Sequence, residues 1–153
     1  MKRGVTDIIV LICCIFGGFF VGRYMQSVIN AKNLFYLDTL KYIENLQLNI
    51  KTKQIGISSF NQEYSKICTS EFKAFLLDNK IEVRLSRAER KNILSLTNTM
   101  LDTSSDTLFS NLSFVSKLIN DDYQLFYNSK FLKSKVYDKI GLLVGAIVGI
   151  LLM

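Results

Sequence analysis

Hydrophobic residues are massed near the two ends of the chain and spaced at helical intervals between them. Residues 8–22 read IIVLICCIFGGFFVG and residues 140–153 read IGLLVGAIVGILLM, both without a charge. At 1.5 Å per residue each run covers about 22 Å, short of a hydrocarbon core about 30 Å thick. The first gains length through Gly4, Val5 and Thr6, which leaves Asp7 at a headgroup layer. The second gains it through Val136 and Tyr137, with Lys135 and Lys139 snorkelling outward. The pattern predicts transmembrane helices over 4–22 and 140–153 enclosing a helical domain over 23–139. A secretory signal peptide also starts with residues such as Lys2-Arg3. Here, however, the run exits through Phe19-Phe20-Val21-Gly22-Arg23-Tyr24, which has no small-x-small cleavage site, so an uncleaved anchor is expected. For the second run the alternative is a buried core helix. Being apolar on every face, such a helix would have to be wrapped completely.

Between the runs there is no proline and a single glycine, Gly56, so almost nothing breaks a helix. Tyr36, Leu40, Ile43, Leu46 and Ile50 form a stripe at three- and four-residue steps, which predicts that the first span continues as an amphipathic helix to near Gly56. Phe60, Tyr64, Ile67, Phe72, Phe75 and Leu76 predict two short packing helices, with turns at Cys68-Thr69-Ser70 and Asp78-Asn79-Lys80. Ile93, Leu96 and Met100 mark another helix. Leu108, Leu112, Val115, Ile119, Tyr123 and Phe126 predict a second long helix, antiparallel to the first, that runs on to Ile140. Helix starts are marked by capping-box patterns at Ser59-Phe-Asn-Gln62, Ser86-Arg-Ala-Glu89 and Thr103-Ser-Ser-Asp106, of which the middle one is a full Ser-x-x-Glu match. The fold class is therefore all-α: a membrane-anchored antiparallel helical bundle with an N-terminal and a C-terminal transmembrane helix.

Charge sets the orientation. With 19 Lys and Arg against 13 Asp and Glu the formal charge is +6. Arg23, Lys32, Lys41, Lys130, Lys133, Lys135 and Lys139 flank the runs on the inner side, against Lys2 and Arg3 on the outer, so the positive-inside rule places the middle domain in the cytoplasm and both termini across the membrane. Tyr24 and Tyr137 bracket the domain where an interfacial aromatic belt would sit. The unpaired Cys68 agrees with a reducing compartment. Arg23, Lys130, Lys133, Lys135 and Lys139 form a basic membrane-surface group suited to anionic lipid.

Glycine is the other informative residue. Gly18 and Gly22 in the first run, and Gly141, Gly145 and Gly149 in the second, recur every four residues. This lays them along one helix face, where another backbone can approach closely, so the spans are expected to pair or oligomerise.

Composition excludes much chemistry. The chain has no histidine, hence no Ser-His-Asp or Cys-His pair and no imidazole metal ligand. There is no glycine-rich phosphate loop, Cys-x-x-Cys pair or nucleophile elbow. Adjacent Cys13 and Cys14 project about 100° apart on a helix and read as small apolar residues. Asp121-Asp122, and Asp102 with Asp106, read as surface or helix-end acids rather than metal ligands. Arg84, Arg87 and Arg90 make a short cluster that reads as a solvated face rather than a nucleic-acid site. The expectation is a non-enzymatic protein with no catalytic residue, metal, cofactor, nucleic acid or small-molecule substrate.

The stretch Lys133-Ser-Lys135-Val-Tyr137-Asp-Lys139-Ile-Gly141-Leu-Leu-Val-Gly145-Ala-Ile-Val-Gly-Ile150-Leu-Leu resembles the closing segment of the stage III sporulation protein AB family, a basic tyrosine-bearing helix leading into a glycine-spaced span. Leu85-Ser-Arg-Ala-Glu89-Arg-Lys-Asn-Ile93-Leu94 resembles that family's leucine-led helix start, and Leu101 to Asp106 its turn before Ser-Asp. Gly18-Phe-Phe-Val-Gly-Arg23, with Leu46 and Ile50 after it, matches in outline. Asp102 stands where the family has a glycine and Asn49 where it has an acid, and Gly56-Ile57 replaces its loop proline. The resemblance implies a cytoplasmic helical domain similar to the inner-membrane platform protein F of type II secretion and type IV pilus systems. It further implies a place in the complex joining mother cell and forespore, in the outer forespore membrane facing the mother cell. The implied partners are the secretion-type ATPase, sporulation stage III protein AA, other membrane proteins of that complex and the lipid bilayer, in an oligomeric assembly. The alternative is a two-span holin-like or toxin-like membrane protein, or a helical membrane adaptor of another assembly.

Overall fold

A computed structural model of the chain describes residues 2–52, 55–101 and 105–152. The described residues are helical, with no strand: α1 (Lys2–Thr52), α2 (Ile57–Tyr64), α3 (Ser70–Asp78), α4 (Arg87–Met100), α5 (Ser105–Phe126), α6 (Leu132–Ser134) and α7 (Tyr137–Leu151). They fall into two compact units. One is Met1–Asn30 with Asn128–Met153; the other is Ala31–Tyr127.

In the second unit the predicted α1 stripe is present but broader than its spacing indicated. Tyr36, Ile43 and Leu46 are fully buried; so are Phe35, Thr39 and Tyr42, which lie beside the stripe. Leu40 and Ile50 are only half-buried. The reason is that α1 is covered on two adjoining faces. Along one runs α5, antiparallel: Tyr36 lies 5.8 Å from the rings of Tyr123 and Phe126, Gln47 Nε2 donates to Ser113 Oγ at 3.0 Å, and Lys51 Nζ sits 4.8 Å from the Phe109 ring. Of the predicted α5 face, Leu108, Leu112, Val115, Ile119 and Phe126 are buried and Tyr123 is half-buried, and α4 packs along α5.

On the other face α2 and α3 bring aromatics to Phe35 and Tyr42. Phe72 lies 5.6 to 6.0 Å from Phe35, Tyr42, Tyr64 and Phe75, and Tyr42 lies 5.6 Å from Phe60 and 5.2 Å from Tyr64. Burying each such ring is worth about 1.5–3 kcal/mol, and each well-placed pair adds about 0.5–1.5 kcal/mol. Ile67, expected in this packing, is instead 78% exposed, because it falls in the turn that follows α2.

The caps divide into three outcomes. Ser86 closes the full capping box of α4: its Oγ accepts from Glu89 N at 3.3 Å and its own N donates to Glu89 Oε2 at 2.7 Å. Ser59 is not a cap, since α2 begins at Ile57 with Gly56 as its N-cap. Thr103 lies outside the described residues. The turn at Cys68-Thr69-Ser70 is secured from α1, where Asp38 Oδ2 accepts from Thr69 N at 2.8 Å and Thr69 Oγ1 at 2.6 Å. Asp38 thus takes the amide and hydroxyl of the N-cap residue itself, while the Thr69 side chain accepts no capping bond from the first turn of α3, and its charge lies at the helix start where the dipole favours it. Asn79 ends α3 in the left-handed region, φ 54°, which asparagine tolerates better than most residues.

α1 is described to Thr52, residues 53–54 lie outside the described residues, and the chain is no longer helical at Ile55 and Gly56, as the stripe predicts. Asn49 holds the connection to α2, its Nδ2 donating to Ile55 O at 2.7 Å and its Oδ1 accepting from Ile55 N at 3.2 Å. Only an amide can do both; an acid there would leave the Ile55 carbonyl without its donor.

The second long helix does not run unbroken to Ile140. After α5 the chain widens into a π-helical turn, Tyr127–Phe131, passes through the single turn of α6 and is interrupted at Lys135 and Val136 before α7. Hydrophobic spacing does not register such breaks, because a π turn shifts the phase of the helix without requiring glycine or proline.

Candidate functional site

In the first unit the residues of α1 before Ala31 pair with α7 through glycine. A methyl at Gly18 would overlap the Gly141 carbonyl oxygen and stand 3.0 Å from the α-carbon of Gly145. One at Gly22 would overlap the Tyr137 carbonyl oxygen, and one at Gly145 that of Cys14, 3.1 Å from the Ile15 α-carbon. One at Gly149 would meet Leu11, its α-carbon at 3.2 Å. As the number falls along α1 it rises along α7, so the pair is antiparallel. All five glycines named from sequence lie in this one seam. Gly4 and Gly17 face open space and take no part in it.

The seam is a backbone contact. Where a side chain would project, each of Gly18, Gly22, Gly141 and Gly145 meets a carbonyl oxygen, so the hydrogen it carries there faces that oxygen. Such Cα–H···O contacts are worth perhaps 0.5–1 kcal/mol each and need the close approach that small residues allow. Sequence named the glycines but not their partners. Cys14, read as a small apolar residue, is half-buried against Gly145 and Gly149.

The outer surface of this pair is apolar. Ile8, Ile9, Phe16, Phe20 and Val21 on α1, and Leu143, Ile147 and Ile150 on α7, are 55 to 65% exposed. Among the described residues one helix, α1, is long and apolar enough to cross a membrane; its most apolar window has a mean hydropathy of 2.1 and is only 6% buried. A core helix of a soluble domain would be covered. α7, at 15 residues, falls below span length. The basic residues Arg23, Lys130, Lys133, Lys135 and Lys139 are all exposed in the same unit. Arg23 lays its guanidinium 5.7 Å from the Phe19 ring, the snorkelling posture of a long cation beside apolar surface.

The second unit holds a polar cluster that sequence reasoning missed. Lys32 Nζ bonds both Glu89 carboxylate oxygens at 2.8 Å, with side chains only 12 and 16% exposed. The ammonium also lies 4.9 Å from the Phe126 ring and 5.8 Å from that of Tyr36. Beside it Asn92 Nδ2 donates to Asp122 Oδ2 at 2.8 Å. Burial pushes the Glu89 carboxyl up, but the bonds from Lys32 and Ser86 outweigh it and hold it below the ordinary value. Tyr36 is fully buried, and among the described residues its hydroxyl has no hydrogen-bond partner. Burial, then the charges of Glu89 and Asp122, raise its phenol far above the usual range. Lys32 was legible as a flanking cation and Glu89 as a cap; nothing in their spacing joins them across 57 positions.

The cluster ties α1, α4 and α5 together with charges matched to acceptors, and Asp122 serves it as a hydrogen-bond acceptor. Among the described residues no group of three or more His, Cys, Asp or Glu is placed to hold a metal ion. Asp102 lies outside the described residues, as does the Asp106 side chain. Arg84, Arg87 and Arg90 are exposed, and Arg90 Nη2 donates to the Ile81 carbonyl at 3.2 Å. No family model matches the chain, and no curated protein or solved structure matches it.

Proposed function

We propose that this chain is a non-enzymatic, membrane-anchored component of the secretion-like complex that joins mother cell and forespore during endospore formation. One observation carries the membrane part: a glycine-seamed helix pair whose outward side chains are apolar and exposed, on a chain that also folds an aromatic-cored helical unit. Apolar faces of this size are covered either by protein or by lipid, and lipid requires no further partner. α7 then completes a second crossing by drawing in Val136 and the basic residues before it, with local thinning of the bilayer or snorkelling of Lys135 and Lys139 making up the length. The basic group sits at the cytoplasmic headgroups, and the 31–127 unit lies in the cytoplasm.

The sporulation assignment rests on the resemblance of the 133–152, 85–94 and 18–23 stretches. On that reading the helical unit meets a secretion-type ATPase, protein AA of the same stage, and its role is to anchor and relay rather than to catalyse. The test is genetic. The DNA flanking the gene should encode a P-loop ATPase and further small membrane proteins, and deletion should stop spore formation after engulfment. Spores formed at normal frequency by the deletion strain would overturn the assignment.

A further inference from the structure

Beside the glycine seam, α1 and α7 leave an apolar groove of about 520 Å³, within the range of small-molecule sites. Gly18, Gly22, Gly141 and Gly145 border it, and Val21 and Val144 contribute apolar side chains. Along α1 it extends from Cys14 to Met25, eleven residues or about 16 Å. That is half of a hydrocarbon core about 30 Å thick, the depth of one leaflet. A third spanning helix would need the whole depth, whereas an acyl chain needs only this half.

The two ends of the groove differ. Cys14 and Val148 close one end without a charge, while Met25 and Tyr137 close the other. Arg23, Lys133, Lys135 and Lys139 lie within four positions of that second end in sequence, against one acid, Asp138. The Asp138 carboxylate already accepts from the Lys139 amide at 2.9 Å. We propose that the groove seats one anionic phospholipid, its acyl chain along the glycine seam and its phosphate among the basic residues around Tyr137. The inference rests on the membrane reading above and deepens it from a lipid surface to a single lipid site.

The full-length chain, purified in mild detergent, is titrated with phosphatidylglycerol and with phosphatidylcholine and weighed by native mass spectrometry. The wild type should hold one phosphatidylglycerol and prefer it by about tenfold, as one to two lysines near a phosphate provide. Val144→Trp fills the groove from its wall while leaving the glycines unsubstituted, and should hold neither lipid. Lys135→Gln with Lys139→Gln should keep binding but lose the preference. If Val144→Trp loses helical circular dichroism, Val21→Phe makes the same test from α1. Equal binding of both lipids by the wild type, or undiminished binding by a folded groove-filled variant, overturns the proposal. So does a wild-type dimer without lipid that Val144→Trp dissolves, since the occupant would then be a second copy. Alkaline carbonate extraction separates the two readings: release from membranes overturns both, whereas retention without a lipid preference overturns the lipid site alone.

Discussion

The helix pair and the helical unit of this chain are held together by opposite means. In the pair, backbones touch because side chains have been removed at Gly18, Gly22, Gly141 and Gly145. In the unit, helices are kept apart by large rings, and the space is filled by Phe35, Tyr42, Phe72 and their neighbours. On the membrane reading proposed above, water explains the difference. Burying aromatic area is a strong drive in the aqueous phase. It vanishes between helices in lipid, where close packing and weak backbone contacts remain. The unit should therefore be sensitive to losing atoms, and the pair to gaining them.

The largest effect is expected at Phe72, which is fully buried and meets four other rings. Phe72→Ala should cost about 3–5 kcal/mol. Chemical denaturation followed by tyrosine fluorescence would show the midpoint falling, while thiol labelling of Cys13 and Cys14 in the helix pair stays unchanged. A loss below about 1 kcal/mol would mean that the ring is not where the core is held.

Next in size is the reverse experiment. Gly145→Ile places a branched side chain against the Cys14 carbonyl and should open the pair at a cost of about 1–3 kcal/mol or more. Cys13 is exposed and Cys14 half-buried, so a membrane-permeant maleimide should label Cys14 more slowly in the wild type and equally fast in the variant. Gly17→Ile, one position from the seam residue Gly18 but facing open space, should change neither rate. Equal effects at both glycines would show that the contact is not specific.

How much of this was legible varies with how local the cause is. The glycine periodicity and the Ser86 box were readable because each depends on residues within four positions of one another. The face carrying Phe35 and Tyr42 was not, since a stripe of one width fits a helix covered on one side, and the second cover comes from α2 and α3 far along the chain. The Lys32–Glu89 pair was hidden for the same reason; the break before α7 was hidden for another, since it requires no glycine or proline. What the sequence misstated most plainly was Ser59, where the pattern of a box lay within a helix already begun at Ile57.

The Lys32–Glu89 pair allows a sharper test of the unit. Lys32→Met leaves a carboxylate that is 16% exposed without its cation and should cost about 2 kcal/mol. Adding Glu89→Gln should recover part of it, a coupling that a double-mutant cycle measures. The pH dependence has a definite sign. Because the folded state holds Glu89 below its ordinary value near 4.5, the pair's stabilisation is present above that value and is lost as pH falls through the lower folded one. In Lys32→Met burial alone acts on Glu89 apart from the Ser86 bonds, so this acid-side loss should shrink. An unchanged acid limb would assign the shift to Ser86 rather than to Lys32.

The smallest effect decides between pattern and position. Ser86→Ala removes the acceptor for Glu89 N and half of a reciprocal cap, and should cost about 1 kcal/mol. Ser59→Ala alters the same motif by sequence, but Ser59 is exposed in the first turn of α2 behind the Gly56 cap, so its effect should stay within about 0.5 kcal/mol. Thermal unfolding of the two single variants measures both. Were Ser59→Ala to cost as much as Ser86→Ala, Ser59 would be the N-cap, α2 would start three residues later than Ile57, and the Tyr42 to Asn61 hydrogen bond of 2.6 Å would have to be drawn from a different turn of that helix.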